Sequence, residues 1–317
     1  MNPARLKENI EQFNQIHIDV ARNATDDFNL FHDHLQWSRI FQNPFHGPIV
    51  LGFQIESLIE NKIFQHRQTH SENVFIQKHN LNFSNYQFSF ANAIKPDQHI
   101  VIDIRKTKIS GDKNNPTLSN RVTVKSDNKL SLIGFKKETC QPLFLPDADL
   151  SHLPEDLADY ADRSILEFHS SGAVKSFFLK RKYMNISNAK NFLCGSRVEQ
   201  RLFFDELKNY YQFPEIFPCA FISCALLENF LIKNLDFERS PMVYGSHKIS
   251  VNRRLLSELK SNDQLHILIY LQTGSDSKKN SQIYECYGLL YNNAILFRAL
   301  VELIPLEVIL KTTKNAV

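Results

Sequence analysis

Residues 25–60 read TDDFNLFHDHLQWSRIFQNPFHGPIVLGFQIESLIE. Asp27, Asn29 and His32 form a short polar run, followed by an aromatic-rich turn and then the Gly-bracketed apolar segment Gly47-Pro-Ile-Val-Leu-Gly52. A carboxylate and an imidazole on one loop can share the handling of a single water molecule. The unsatisfied amides where a helix begins can bind a developing negative oxygen. Pro48 suits a first helical turn and Gly47 allows a sharp entry, so a helix is predicted over Ile49 to Phe64. Its apolar residues fall on nearly every face, which predicts burial rather than a surface position.

Outward from this stretch, residues 4–23 carry apolar Leu6, Ile10, Phe13, Ile16 and Val20 at near-helical spacing. Strands are predicted after the central helix at Val74–Lys78, Asn82–Phe90, Ile100–Lys108, Asn120–Asp127 and Lys129–Lys137, with turn residues between them. One long helix followed by antiparallel strands predicts an α+β unit with a curved sheet around a helix. Residues 141–162, with three prolines and clustered acids, read as a connection. The second half then repeats the order. Ser57-Leu-Ile-Glu-Asn61 is matched by Ala225-Leu-Leu-Glu-Asn229, and strands are predicted at Val243–Val251, His266–Gln272, Ser281–Leu290 and Asn293–Val301. With Glu60 set on Glu228, Asp27 falls on Gly195, Asn29 on Arg197 and His32 on Gln200, so the second copy lacks the Asp/His pair.

The motif Asp27-Phe-Asn29-Leu-Phe-His32, with Ser38 six residues further on, resembles the signature of MaoC-like hydratases and dehydratases, whose pattern is Gly-Asp-x-Asn-Pro-x-His and then Ala or Ser. Phe45-His-Gly-Pro48-Ile49-Val-Leu-Gly52 is similar to that family's Phe-Gly-Arg-Pro-Ile-Ala-His-Gly. Asp26, Leu30 and Leu51 depart from the family's Gly, Pro and His. At roughly 5% per residue type, the first motif alone should arise by chance in about one such chain in a few hundred. The resemblance implies a double hotdog: residues 1–140 an N-terminal hotdog carrying the Asp/His motif, 141–175 a linker, and 176–317 a degenerate C-terminal hotdog. It implies a hydratase or dehydratase acting on an acyl thioester of coenzyme A or acyl-carrier protein. Asp27 and His32 would position water, Asn29 would fix the loop, and the Gly52 amide would meet the thioester oxygen. No metal or redox cofactor is needed for that chemistry. The alternatives are a non-catalytic hotdog that binds an acyl ligand or serves as a scaffold, and a hotdog thioesterase with Glu56 or Glu60 as its helix carboxylate.

The rest of the chain constrains partners. With 317 residues there is length for two domains, and 43% hydrophobic with 22% charged residues argues against disorder. A net charge of +3 is too small to indicate nucleic acid. The five cysteines are scattered without zinc-type spacing, and no segment has the length and apolarity of a membrane span. The start has no signal-peptide core, so a cytoplasmic protein is expected, as a pseudo-dimeric monomer or a homodimer. Lys180-Arg-Lys182 and Arg253-Arg254 could meet a phosphate but read more simply as charged faces, and His34 and His46 lack a helical HxxxH pairing that would make a metal site with His32. Gly172 and Gly195 belong to no phosphate loop, and Gly274–Ser281 reads as a polar hairpin turn.

Overall fold

In the computed structural model, which describes residues 11–112, 115–147, 150, 153–154, 156–170, 173–272 and 281–314, the segment after Gly47 stays extended before it becomes helical. The Ile49 amide donates to Phe31 O at 2.9 Å and the Val50 amide to Ile94 O at 2.8 Å. Two β-branched residues with backbone partners on either side favour extended geometry. The helix therefore starts at Gly52, not at Ile49, and Pro48 lies in the connection that leads to it.

Before this segment stands α1, Gln15–Thr25. Residues 4–10 of the helix expected there lie outside the described residues, and Glu11 is instead bridged to Ile100, as a strand residue would be. The helix that begins at Gly52 is α2, running to Thr69, and α3, Glu72–Lys78, follows it. The strand expected at Val74–Lys78 is thus a helix. It packs Ile76 and Phe75 against Leu81 and Leu118. Four of the five strands expected in the first half are present: β1 is Phe83–Phe90, the third expected strand divides into β2, Ile100–Ile104, and β3, Lys108–Ser110, and β4 is Thr117–Ser126 and β5 Lys129–Thr139.

The second half begins earlier than its helix. β6, Ile165–Ser170, and β7, Ala173–Met184, start within the 141–175 connection, and α4, Ile186–Gly195, follows. A small hairpin of β8, Phe204–Asp205, and β9, Tyr210–Tyr211, leads to α5, Ile216–Ile232. Then come β10, Met242–Asn252, α6, Arg253–Glu258, β11, Asp263–Leu271, β12, Gln282–Leu289, β13, Ile295–Pro305, and α7, Leu306–Lys314. Gly172 and residues 274–280 of the expected hairpin turn lie outside the described residues.

These strands make one eleven-stranded antiparallel sheet in the order β2-β4-β5-β1-β10-β13-β12-β11-β7-β6, with β3 on β4. The halves meet edge to edge where β1 pairs with β10, from Phe83↔Asn252 to Ser89↔Ser246. Reading outward from this seam, both halves run in the same connectivity, β1-β5-β4-β2 on one side and β10-β13-β12-β11 on the other. This is a double hotdog arrangement. Joining the halves at the seam leaves neither inner edge unpaired. The Glu11 to Ile100 bridge stands where β7 stands against β11.

α2 and α5 pack on each other, and a single apolar core crosses both halves through Phe53, Leu58, Tyr86, Phe217, Ile222, Ile249 and Val301. The repeat motif read from the sequence is out of step with the helices. Ser57 is the sixth residue of α2, whereas Ala225 is the tenth of α5, so the two segments lie on equivalent helices about one turn apart. α1 and α4 also pack together. A Cβ on Gly195 would lie 2.7 Å from Ala21 N and His17 O, so only glycine permits the approach.

Candidate active site

α1 ends on Asp26 in the left-handed region (φ 53°), which explains why glycine is the residue in the MaoC pattern and why Asp, tolerant of this conformation, can replace it. The Asp26 carboxylate also holds Lys182 Nζ at 2.6 Å. The chain then turns so that Asp27 and His32 are both buried. Asp27 Oδ1 accepts from the Asn29 amide at 3.2 Å, and Asn29 Oδ1 accepts from the Phe31 amide at 3.1 Å. These local bonds make Asn29 the cap of a short helical turn over Leu30–His32 and set the imidazole's position.

His32 Nδ1 lies 2.7 Å from Ile49 O. A carbonyl only accepts, so Nδ1 carries the proton and Nε2 presents its lone pair. Nε2 is 3.9 Å from Asp27 Oδ2, too far for a direct bond. The separation is one that a single water hydrogen-bonded to both atoms would span. Burial pushes the His32 pKa below its ordinary value, against the opposing pull of Asp27 and Ile49 O, so the neutral imidazole is favoured.

His32, Asn29, Leu30 and Gly52 line a cleft of about 220 Å³ whose other walls include Phe90, Leu226, Leu227, Phe230, Met242 and Val243. Asp27 stands behind His32, outside this lining. Gly52 opens α2, where the first amides have no acceptor within the helix, and Phe90 and Tyr244 lie so close that a Cβ there would meet each at 3.2 Å. Leu51 takes no part in the wall. Its side chain is packed in the core, so replacing the family's His at this position fills the interior and does not reshape the cleft.

Two hydroxyls that no motif announced also line the cleft. Tyr244 on β10 and Ser223 on α5 are joined by a 2.5 Å hydrogen bond. Burial and the charge of Asp27 push the Tyr244 pKa well above its ordinary value, so its proton stays in place. Both residues come from the second half, and no local pattern in the sequence set them apart.

The carboxylates considered for a thioesterase are engaged elsewhere. Glu56 Oε1 bonds His247 Nδ1 at 2.8 Å in the closed interior, and Glu60 accepts from the Glu215 and Ile216 amides at 2.8 and 3.1 Å. Around Glu60 the interior is ionic. Glu215 holds Lys136 at 2.8 Å and the Tyr86 hydroxyl, and Glu138 takes Arg67, Lys136 and Arg253. Burial alone would raise Glu138, but these three cations hold it well below the usual carboxylate range.

The second half has no counterpart of the Asp/His pair, although the register differs from the one read in the sequence. α4 is followed by Arg197 at φ 58°, as α1 is by Asp26, and Glu199 caps the turn Gln200–Leu202 as Asn29 caps its own. Val198 therefore stands where Asp27 does, and Leu202 and Phe203 where His32 does. The earlier register set these positions at Gly195, Arg197 and Gln200. It was fixed on the helices, and the loops leading into α2 and α5 differ in length.

His34 and His46 do not join His32. His34 faces Asp19 at 3.8 Å, and among the described residues neither belongs to a group of converging metal-ligating side chains. The basic clusters are committed too. Lys180 pairs with Asp162 and Glu228, Arg181 holds three backbone carbonyls, and Arg254 reaches Glu258 at 3.3 Å. No helix among the described residues is long and apolar enough to cross a membrane.

In fold, the whole chain is similar to a MaoC-like dehydratase, at 9% identity with 94% of this chain and 96% of that one covered and a TM-score of 0.59. It is also similar to a double hotdog protein from Mycobacterium tuberculosis, at 10% identity, 94% of each chain and a TM-score of 0.54. Part of the full-length peroxisomal multifunctional enzyme type 2 from Drosophila melanogaster matches at 8% identity, over 93% of this chain and 48% of that one, with a TM-score of 0.52. No protein-family model and no curated protein matches the sequence.

Proposed function

We propose that this chain is an enoyl-thioester hydratase or 3-hydroxyacyl-thioester dehydratase. The observation that carries the reading is the buried pair of His32 Nε2 and Asp27 Oδ2, 3.9 Å apart beside a cleft that also receives the start of α2. In the hydration direction, water held between the two gives up a proton to the pair as its oxygen bonds to the β-carbon. Enolate charge gathers on the thioester oxygen, where the Gly52 amide and the positive end of α2 meet it. The pair then passes that proton to the α-carbon, which returns the pair to its resting state. Asn29 keeps the loop in shape, and the Ser223–Tyr244 hydroxyls offer a further donor to the oxygen side of the substrate.

In this reading each half is a hotdog whose sheet wraps its own helix, α2 or α5. Residues 1–140 supply the acid-base groups, and the second half, which begins with β6 inside the expected 141–175 connection, shapes the acyl wall without chemistry of its own. The substrate is carried by coenzyme A or an acyl-carrier protein. MaoC-like dehydratases of similar fold support the reaction class. The thioesterase alternative is weakened because Glu56 and Glu60 are turned away from the cleft.

A non-catalytic acyl-binding module is the second reading, favoured by the apolar lining and by Asp27 standing behind the wall. The deciding experiment is a panel of trans-2-enoyl thioesters, from crotonyl to dodecenoyl, on both carriers, followed by loss of absorbance. Turnover that depends on Asp27 supports the hydratase. Tight binding of the acyl ligands with no turnover on any of them transfers the assignment to the binding module.

A further inference from the structure

The sequence Gln65-His66-Arg-Gln-Thr-His70-Ser-Glu72 closes the far end of α2, and its His-xxx-His spacing puts two imidazoles on successive turns of one face. The rings are 4.5 Å apart between centroids. Ser71, in the left-handed region at φ 54°, reverses the chain and brings Glu72, at the start of α3, back over this turn. One ligand atom from each of His66, His70 and Glu72 lies within 4.8 Å of the others. Among the described residues this is the one such convergence of His, Cys, Asp or Glu side chains.

We infer that His66, His70 and Glu72 form a binding site for a divalent transition-metal ion, zinc above all. Two imidazoles and a carboxylate are the donor set that zinc takes, with a water completing the tetrahedron. His70 Nδ1 is 2.7 Å from His66 O, so it donates there and leaves Nε2 as the ligand atom. Ligand atoms around zinc sit roughly 3.3 Å apart, and small adjustments of the three side chains close the difference.

The carboxylate is held from behind, as outer-shell partners of a metal ligand are. Thr107 Oγ1 donates to Glu72 Oε2 at 2.7 Å, Asn120 Nδ2 to Thr107 Oγ1 at 2.6 Å, and Arg67 Nε to Asn120 Oδ1 at 2.8 Å. Arg67 and Asn120 are buried, so this chain of bonds anchors the exposed cluster to the interior. The site lies about 21 Å along α2 from Gly52, at 1.5 Å per residue, and so does not belong to the cleft. It would clip the end of α2 to α3 and the segment after β2.

The test is titration of the untagged full-length protein with zinc chloride by calorimetry, and with cobalt(II) by visible absorption. One equivalent should bind, and its cobalt spectrum should be tetrahedral. His70→Ala, which alters only an exposed side chain, and Glu72→Gln should each weaken zinc at least about a hundredfold, and Thr107→Val about tenfold. His34→Ala should leave the affinity unchanged. Zinc should also raise the melting temperature of the parent but not of His70→Ala. Absence of binding to the parent at 100 μM free zinc (about 10⁻⁴ M, beyond any structural site), or equal binding by the parent and the His70→Ala and Glu72→Gln variants, would overturn the inference.

Discussion

Glu60 Oε1, on α2, accepts the amide of Glu215 at 2.8 Å and so closes the front of α5 with a carboxyl group from the other half. Oε2 takes the Ile216 amide at 3.1 Å. At the front of α2 the Leu51 amide is taken by Gln54 Oε1 of the same helix at 3.4 Å, and Gly52 lines the cleft. The two helix fronts therefore differ, that of α5 being filled by Glu60 and that of α2 bordering the cleft. Glu60→Ala leaves two amides without acceptors and should cost about 2–4 kcal/mol in denaturant unfolding. Burial and then Glu215 push the Glu60 pKa up to about 8 from an ordinary 4.5. The folded state thus keeps a proton that the unfolded state releases, and the parent should lose stability relative to Glu60→Gln as pH rises from about 4.5 to about 8. A pH-independent difference between the two proteins would contradict this.

Removing either member of the dyad should disable turnover while sparing the fold. Asp27→Asn and His32→Ala are each expected to lower kcat by about two orders of magnitude or more. The double variant should be little worse than either single one, because the pair acts as a unit. Parent-like rates in both single variants would end the assignment.

If the dyad is catalytic, His32 should also set the acid limb of the rate profile. Its pKa is lowered from 6.5 by burial, and protonation of Nε2 removes the lone pair that accepts from water. Activity should therefore hold down to pH 6.5 and fall only below it. A limb centred above 6.5 would show a charged imidazole in the resting site.

Tyr244→Phe keeps the ring against Gly52 and deletes the hydroxyl bonded to Ser223. kcat/KM should drop by about tenfold, the worth of one hydrogen bond. Affinity for a saturated acyl ligand should change little, since the apolar wall is intact.

Gly195→Ala tests the contact of α1 with α4. The added methyl would meet Ala21 N at 2.7 Å, and backbone cannot yield as a side chain can. A loss of at least about 2 kcal/mol is expected in thermal or denaturant unfolding. The unfolding slope should remain that of the parent.

The local sequence determined what short-range chemistry decides. The spacing of Asp27, Asn29 and His32 is enough to build the capped turn, because each bond spans two or three residues. Strand patterns located β1, β2, β4 and β5 in the first half and β10 to β13 in the second but missed β6 to β9, and the match of Ala225–Asn229 to Ser57–Asn61 paired the two helices that carry them. Repetition of helix-then-strands gave the two-fold plan. Tertiary structure decided the rest, because it depends on groups distant in the chain. Ile49 and Val50 stay extended since Phe31 and Ile94 offer them acceptors, which moves the start of α2 to Gly52. Val74–Lys78 is a helix since Leu81 and Leu118 wait on one side of it. The Ser223–Tyr244 pair, the bond from Glu60 to α5 and the seating of Leu51 in the core arise only when the two halves share one interior, and no local pattern records which polar side chains that interior will set against each other.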